Sequence, residues 1–260
     1  RSLSKIVIGN NTQNGEVLPS MALNILKLES RVILENASND WKFIKGISMK
    51  YKNNDKRKSI YRLILKRIED CSIVAEQAGG KGQIKSRFED LSNNRYRFSS
   101  KLKLATLFDS DRDSNTSLNE ENRNLIFYLK DRKIPLDKIQ PSTTFENEDK
   151  FLWHMLYKRE IENYIPHKLI IPNFENNIEN KNIKDLSPEE YDFIKFKSVS
   201  GNNYINLKEK LPNLFLSEDL TKDMLESRCS HHGEKIELPN GTLEDVVELE
   251  RILLMIAKII

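Results

Sequence analysis

The segment TLFDSDRDSN, Thr106 to Asn115, carries aspartates at alternate positions: Asp109, Asp111 and Asp113. Carboxylates at that density repel one another unless a cation joins them. Two cation sites fit the pattern. One is a calcium loop of the helix–loop–helix kind: counting Asp109 as one, Glu120 stands at twelve, so acids fall at one, three, five and twelve. The other is a magnesium site at the end of a buried strand. The calcium loop needs glycine at its sixth position and usually an apolar residue at its eighth; here these are Ser114 and Thr116. The preceding KLATLF is a compact apolar run suited to a strand, and no second copy of the loop exists. A third reading has the acids cap the helix that starts near residue 118.

The strand reading requires elements that can present the acids, and the chain supplies them in alternation. RVILE (31–35), SIVAEQ (72–77), KLATLFD (103–109) and FLWHMLY (151–157) read as buried strands. Helices are predicted over 37–51, 59–71, 84–91 and 118–133, with SNNRYRFSSK (92–101) as a loop. MALNILKL (21–28) reads as helix or strand, and KREIENYIP (158–166) as helix or turn. Strand–helix alternation predicts an α/β fold, a parallel sheet flanked by helices. Ligands of such sheets lie beyond the carboxyl ends of the strands. Glu35, the AGGKG turn (78–82), Asp109, Asp111 and Glu160 to Glu162 all fall there.

Beyond residue 171 the pattern changes. NFENNIENKNIKD is polar and of low complexity. Ser187, Pro188 and Glu190 mark the start of a helix over 187–197, and Thr242 with Asp245 marks a last helix ending in ERILLMIAKII. Residues 1–170 are therefore expected to form an α/β domain and 171–260 a mostly helical region. The apolar last helix is expected to be buried, in its own region or against a second copy.

The 260 residues are 38% hydrophobic and 31% charged, with net charge +3. Overall charge therefore does not announce a nucleic-acid partner, although KYKNNDKRKS (50–59) is locally basic. No apolar run reaches the roughly 18 residues of a membrane span. RSLSKIVIGN lacks the apolar core of a signal peptide, and the absence of an initiating Met points to a trimmed chain. Cys71 and Cys229 lie far apart and make no disulfide framework. A cytoplasmic protein without membrane attachment is the expectation. Cys229 with His231 and His232 lacks the fourth ligand and the spacing of a zinc site. GGKGQIKS lacks Walker A spacing, so no ATPase signature is present.

VILENASNDWKFI, AGGKG, LFDSDRD and YKREIENYI, taken in order across residues 28 to 168, resemble the Toprim domain of topoisomerases, primases and OLD-type nucleases. The likeness is to the OLD-like and stand-alone phage-defence branch. Asn36 stands where Toprim proteins commonly have glycine, and Asp40 lies one residue beyond the usual second acid, where this chain has Asn39. The resemblance implies a Rossmann-like Toprim sheet and an endonuclease that uses Mg2+ or Mn2+. Glu35, Asp109 and Asp111 would be its metal ligands, with Asp40 a further candidate. Asp113 would reach a second metal or cap the next helix. Glu162 would complete the site, and Lys158 or Arg159 would steady charge developing on phosphate. The substrate would be DNA or RNA, tRNA included, and a partner ATPase subunit would act with this chain in anti-phage defence. A homodimer through the last helix is a further expectation. From another class comes the alternative of a non-catalytic nucleic-acid- or partner-binding module with a degenerate Toprim fold.

Overall fold

The computed structural model describes residues 7–9, 16–97, 99–174, 183–196, 209–229, 234–237 and 243–260. Four strands form its main sheet: β1 (Ser30–Leu34), β2 (Ile73–Gln77), β3 (Leu104–Phe108) and β4 (Leu152–Met155). All pair in parallel, in the order β2-β1-β3-β4. Every residue of β3 and β4 is buried. That is why LATLF and LWHM read as short apolar runs without alternation: both faces of a parallel sheet are covered.

Side chains leave a strand on alternate faces. Val32, Leu34, Ala105 and Leu107 face one core, with α2 (Ala37–Tyr51) and α3 (Lys58–Glu69). Ile33, Leu104 and Phe108 face the other, with α4 (Lys81–Asn93) and α6 (Glu120–Leu129). The chain runs from β1 outward to β2, returns across β1 to β3, and continues to β4. Strand order therefore reverses between β1 and β3, and a crevice opens at their carboxyl ends, the usual ligand position in open α/β sheets.

Several boundaries differ from the sequence expectation. Residues 19–27 are helical, as α1 (Pro19–Lys27). The segment expected as a loop over 92–101 is partly helix: α4 runs to Asn93, and α5 (Ser100–Lys103) leads directly into β3. After α7 (His167–Phe174) comes α8 (Pro188–Phe193), which has the expected Ser187–Glu190 capping box but stops early, because Ile194 turns to an extended backbone with ψ 135°. Downstream lie α9 (Lys222–Cys229), then β5 (Glu234–Glu237) antiparallel to β6 (Leu243–Val246). Asp245, expected at a helix start, is thus in a strand, Thr242 lies outside the described residues, and α10 (Glu248–Ala257) begins only after the strand.

The later residues share the first core. Leu249, Ile252, Leu253 and Ile256 of α10 pack with Val32, Phe43 and Ile64. The 3-10 turn Leu211–Leu216 lies so close to α2 that a Cβ at Gly46 would stand 2.5 Å from the Phe215 carbonyl oxygen. Among the described residues, no helix is long and apolar enough to cross a membrane. His231 and His232 lie outside the described residues.

Candidate functional site

Glu35 follows β1, and Asp109 follows β3, its neighbour. The Asp109 N–H donates to Glu35 Oε1 at 2.9 Å, joining the ends of two strands 74 residues apart in sequence. Gln77, at the end of β2, clamps the same turn: its Nε2 donates to the Glu35 carbonyl at 2.8 Å, and its Oε1 accepts from the Ala37 N–H at 2.6 Å. Asn36 caps α2 by accepting from the Asn39 N–H. The Asp40 carboxylate accepts in return from the Asn36 N–H at 2.9 Å. At φ −127° residue 36 needs no glycine, so asparagine fits there and adds a cap.

A pocket of about 430 Å3 opens above these strand ends. Its walls carry the carboxylates of Glu35, Asp40, Asp109 and Glu162, together with Gly79 and Gly80. The two glycines have φ of +88° and +120°, where a side chain would strain the backbone, and they lead into the first turn of α4. The pocket thus sets anionic walls beside the positive end of a helix dipole.

Burial pushes the Asp109 carboxyl well above the usual carboxylate range, and the nearby Glu35, Asp40, Glu160 and Glu162 push it further. Glu35 is also raised, first by burial; Asp111 and Glu121 add to this, against the pull of Lys81 and of the Asp109 N–H. Acids that resist ionising together in a pocket are what a bound cation would relieve.

The three alternate aspartates meet different partners. Asp109 faces Glu35, Asp111 meets Lys81, and the outlying Asp113 pairs with Arg159. Asp113 has a side chain 86% exposed. Glu120 begins α6 and is exposed, while Asn119 supplies that helix's cap. The four acids therefore do not turn toward one point as a calcium loop would require.

Two neighbouring segments hold this loop in place. The Asp111 N–H donates to the Arg159 carbonyl at 3.0 Å, and Ser110 Oγ donates to the Lys158 carbonyl at 2.7 Å. Asn122, wholly buried, donates its side-chain amide to the Ser110 carbonyl. Lys158 itself is fully buried and pairs with Asp192, which also binds Arg228. Its ammonium stands with that pair and does not line the pocket. Burial lowers its proton affinity, and Arg228 lowers it further. Glu160 caps the 3-10 turn Ile161–Tyr164, which carries Glu162 to the pocket wall.

Two participants escaped the sequence reading. Gln77 carries no motif. Lys81 was legible only as part of a glycine turn, yet its ammonium stands 3.7 Å from Glu35 Oε1 and 2.5 Å from Asp111 Oδ2. Among the described residues, no three acidic, histidine or cysteine side chains already form a cation cage. By donor type the pocket's carboxylate oxygens suit a hard divalent cation such as Mg2+ or Mn2+. No family model, curated protein or solved structure matches the chain.

Proposed function

We propose that this chain is a Mg2+- or Mn2+-dependent nuclease that hydrolyses phosphodiester bonds of DNA or RNA. The observation that carries the reading is the gathering of Glu35, Asp40, Asp109 and Glu162 around one pocket at the sheet's switch point, with the Asp109 carboxyl held well above its usual range. The resemblance of VILENASNDWKFI, LFDSDRD and YKREIENYI to Toprim nucleases agrees with it.

Glu35 and Asp109 are the principal metal ligands in this reading, with Asp40 and Glu162 completing the oxygen set. A bound divalent cation would neutralise phosphate charge and lower the pKa of an attacking water. The chain's own groups do the positioning. Backbone amides at the start of α4, beside Gly79 and Gly80, receive a phosphate oxygen. The Asp109 N–H holds Glu35 in place, and Gln77 fixes the turn that presents it. Lys158 acts from behind: its carbonyl anchors Ser110, while its ammonium locks Asp192.

A role as the effector of an anti-phage system with a partner ATPase extends the resemblance. The alternative, a binding module without catalysis, draws on the Lys81–Asp111 pair, which already neutralises one of the acids. Incubation with DNA, tRNA and other RNA in Mg2+ or Mn2+ separates the two. Metal-stimulated cleavage is expected, falling roughly 10³-fold or more in Glu35→Ala and Asp109→Ala. Cleavage that survives both substitutions would overturn the site.

A further inference from the structure

The acids near the strand ends divide into two sets. Glu35, Asp40, Asp109 and Glu162 line the pocket, whereas Asp111 and Lys81 do not. Lys81 has a side chain only 3% exposed, and its ammonium bridges Asp111 and Glu35. Two unfavourable features converge on this bridge. Lys81 is the first residue of α4, so its positive charge sits at the positive end of the helix dipole. Asp111 reaches it from a left-handed backbone with φ +49°, held by the hydrogen bond to the Arg159 carbonyl. A buried ammonium must also be paired to offset its lost hydration.

We propose that Lys81 is a resident cation: it fills the place of a second metal, so the site takes one divalent ion. That ion binds Glu35 and Asp109 on the pocket side. Lys81 occupies Asp111 and supplies the second positive charge from behind the pocket wall, beside Glu35. The inference rests on the reading of this pocket as a metal site for phosphodiester hydrolysis. It separates the two halves of the DSD motif, giving Asp109 to the metal and Asp111 to the lysine.

Counting bound Mn2+ by electron paramagnetic resonance tests it without reference to activity. The wild-type chain should bind one Mn2+, as should Lys81→Arg. Lys81→Met should bind two, with the first site tightened roughly tenfold by removal of a nearby like charge. Asp111→Asn should leave the single wild-type site within about threefold of its affinity, because in this arrangement Asp111 answers to Lys81. Two Mn2+ in the wild type would overturn the inference and leave the metal site standing. A single Mn2+ of unchanged affinity in Lys81→Met would do the same. Absence of Mn2+ binding in every variant would overturn the metal-site reading and this inference with it. If Lys81→Met fails to fold by circular dichroism, Asp111→Asn decides: a loss of affinity well beyond tenfold would place Asp111 on the metal.

Discussion

Two clusters of acid, one buried and one partly buried beside an open pocket, are treated by the chain in opposite ways. Behind β4, Glu248 at the start of α10 is wholly buried and is satisfied by the protein itself. It accepts from the Tyr157 N–H at 2.7 Å and from the Tyr164 hydroxyl, and pairs with His154 Nε2 at 2.9 Å. Asp192 is met likewise by Lys158 and Arg228. At the pocket, Asp109 instead looks onto further acids, Glu35, Asp40, Glu160 and Glu162, and its carboxyl resists ionisation. Acids that the fold completes from its own donors serve architecture. Acids gathered beside an open pocket are the ones on which the proposed function places a cation.

The contrast can be broken by substitution, and the largest expected effect on stability lies in the satisfied cluster. Glu248→Ala strips the partner from Tyr164, Tyr157 and His154 and should cost roughly 3 kcal/mol. Denaturant unfolding measures that loss, and an unchanged midpoint would contradict the assignment of this cluster to architecture. Lys158→Met comes next. Asp192 keeps Arg228, so the cost should be nearer 2 kcal/mol, seen in the same measurement. Mn2+ affinity should not move, because Lys158 does not line the pocket. Lost cleavage with unchanged stability would instead return Lys158 to direct contact with phosphate.

The sequence made the sheet legible because buried parallel strands leave dense apolar runs: SIVAEQ, KLATLFD and FLWHMLY each contain an observed strand, and RVILE overlaps β1 from Arg31 to Leu34. It also marked Glu35 and Asp109, since both directly follow such runs. Other features left no local trace. Lys81 meets Asp111 across 30 residues and Lys158 meets Asp192 across 34, and side-chain pairs of that range have no periodic signature. The strand LEDV is short, polar and only partly buried, so the apolar run after it dominated the reading and drew the helix too far forward. Asp40, one residue beyond the usual second acid, accepts from the Asn36 N–H and also lines the pocket wall.

The most direct test of the proposed cation site is thermal unfolding of the chain against pH, with and without Mn2+. The sign follows from the raised carboxyls of Asp109 and Glu35. A group whose proton affinity is higher folded than unfolded contributes stability that is complete below the unfolded pKa, near 4. That contribution is lost as pH rises through the higher folded value. The metal-free protein should therefore lose stability on the alkaline side of the ordinary carboxylate range. Mn2+ should restore it, with a larger rise in Tm at pH 8 than at pH 5, because ionised acids bind the cation. Asp109→Asn should flatten the metal-free profile and remove most of the Mn2+ effect. A wild-type Tm that ignores Mn2+ throughout, with a pH profile unchanged by Asp109→Asn, would contradict the account.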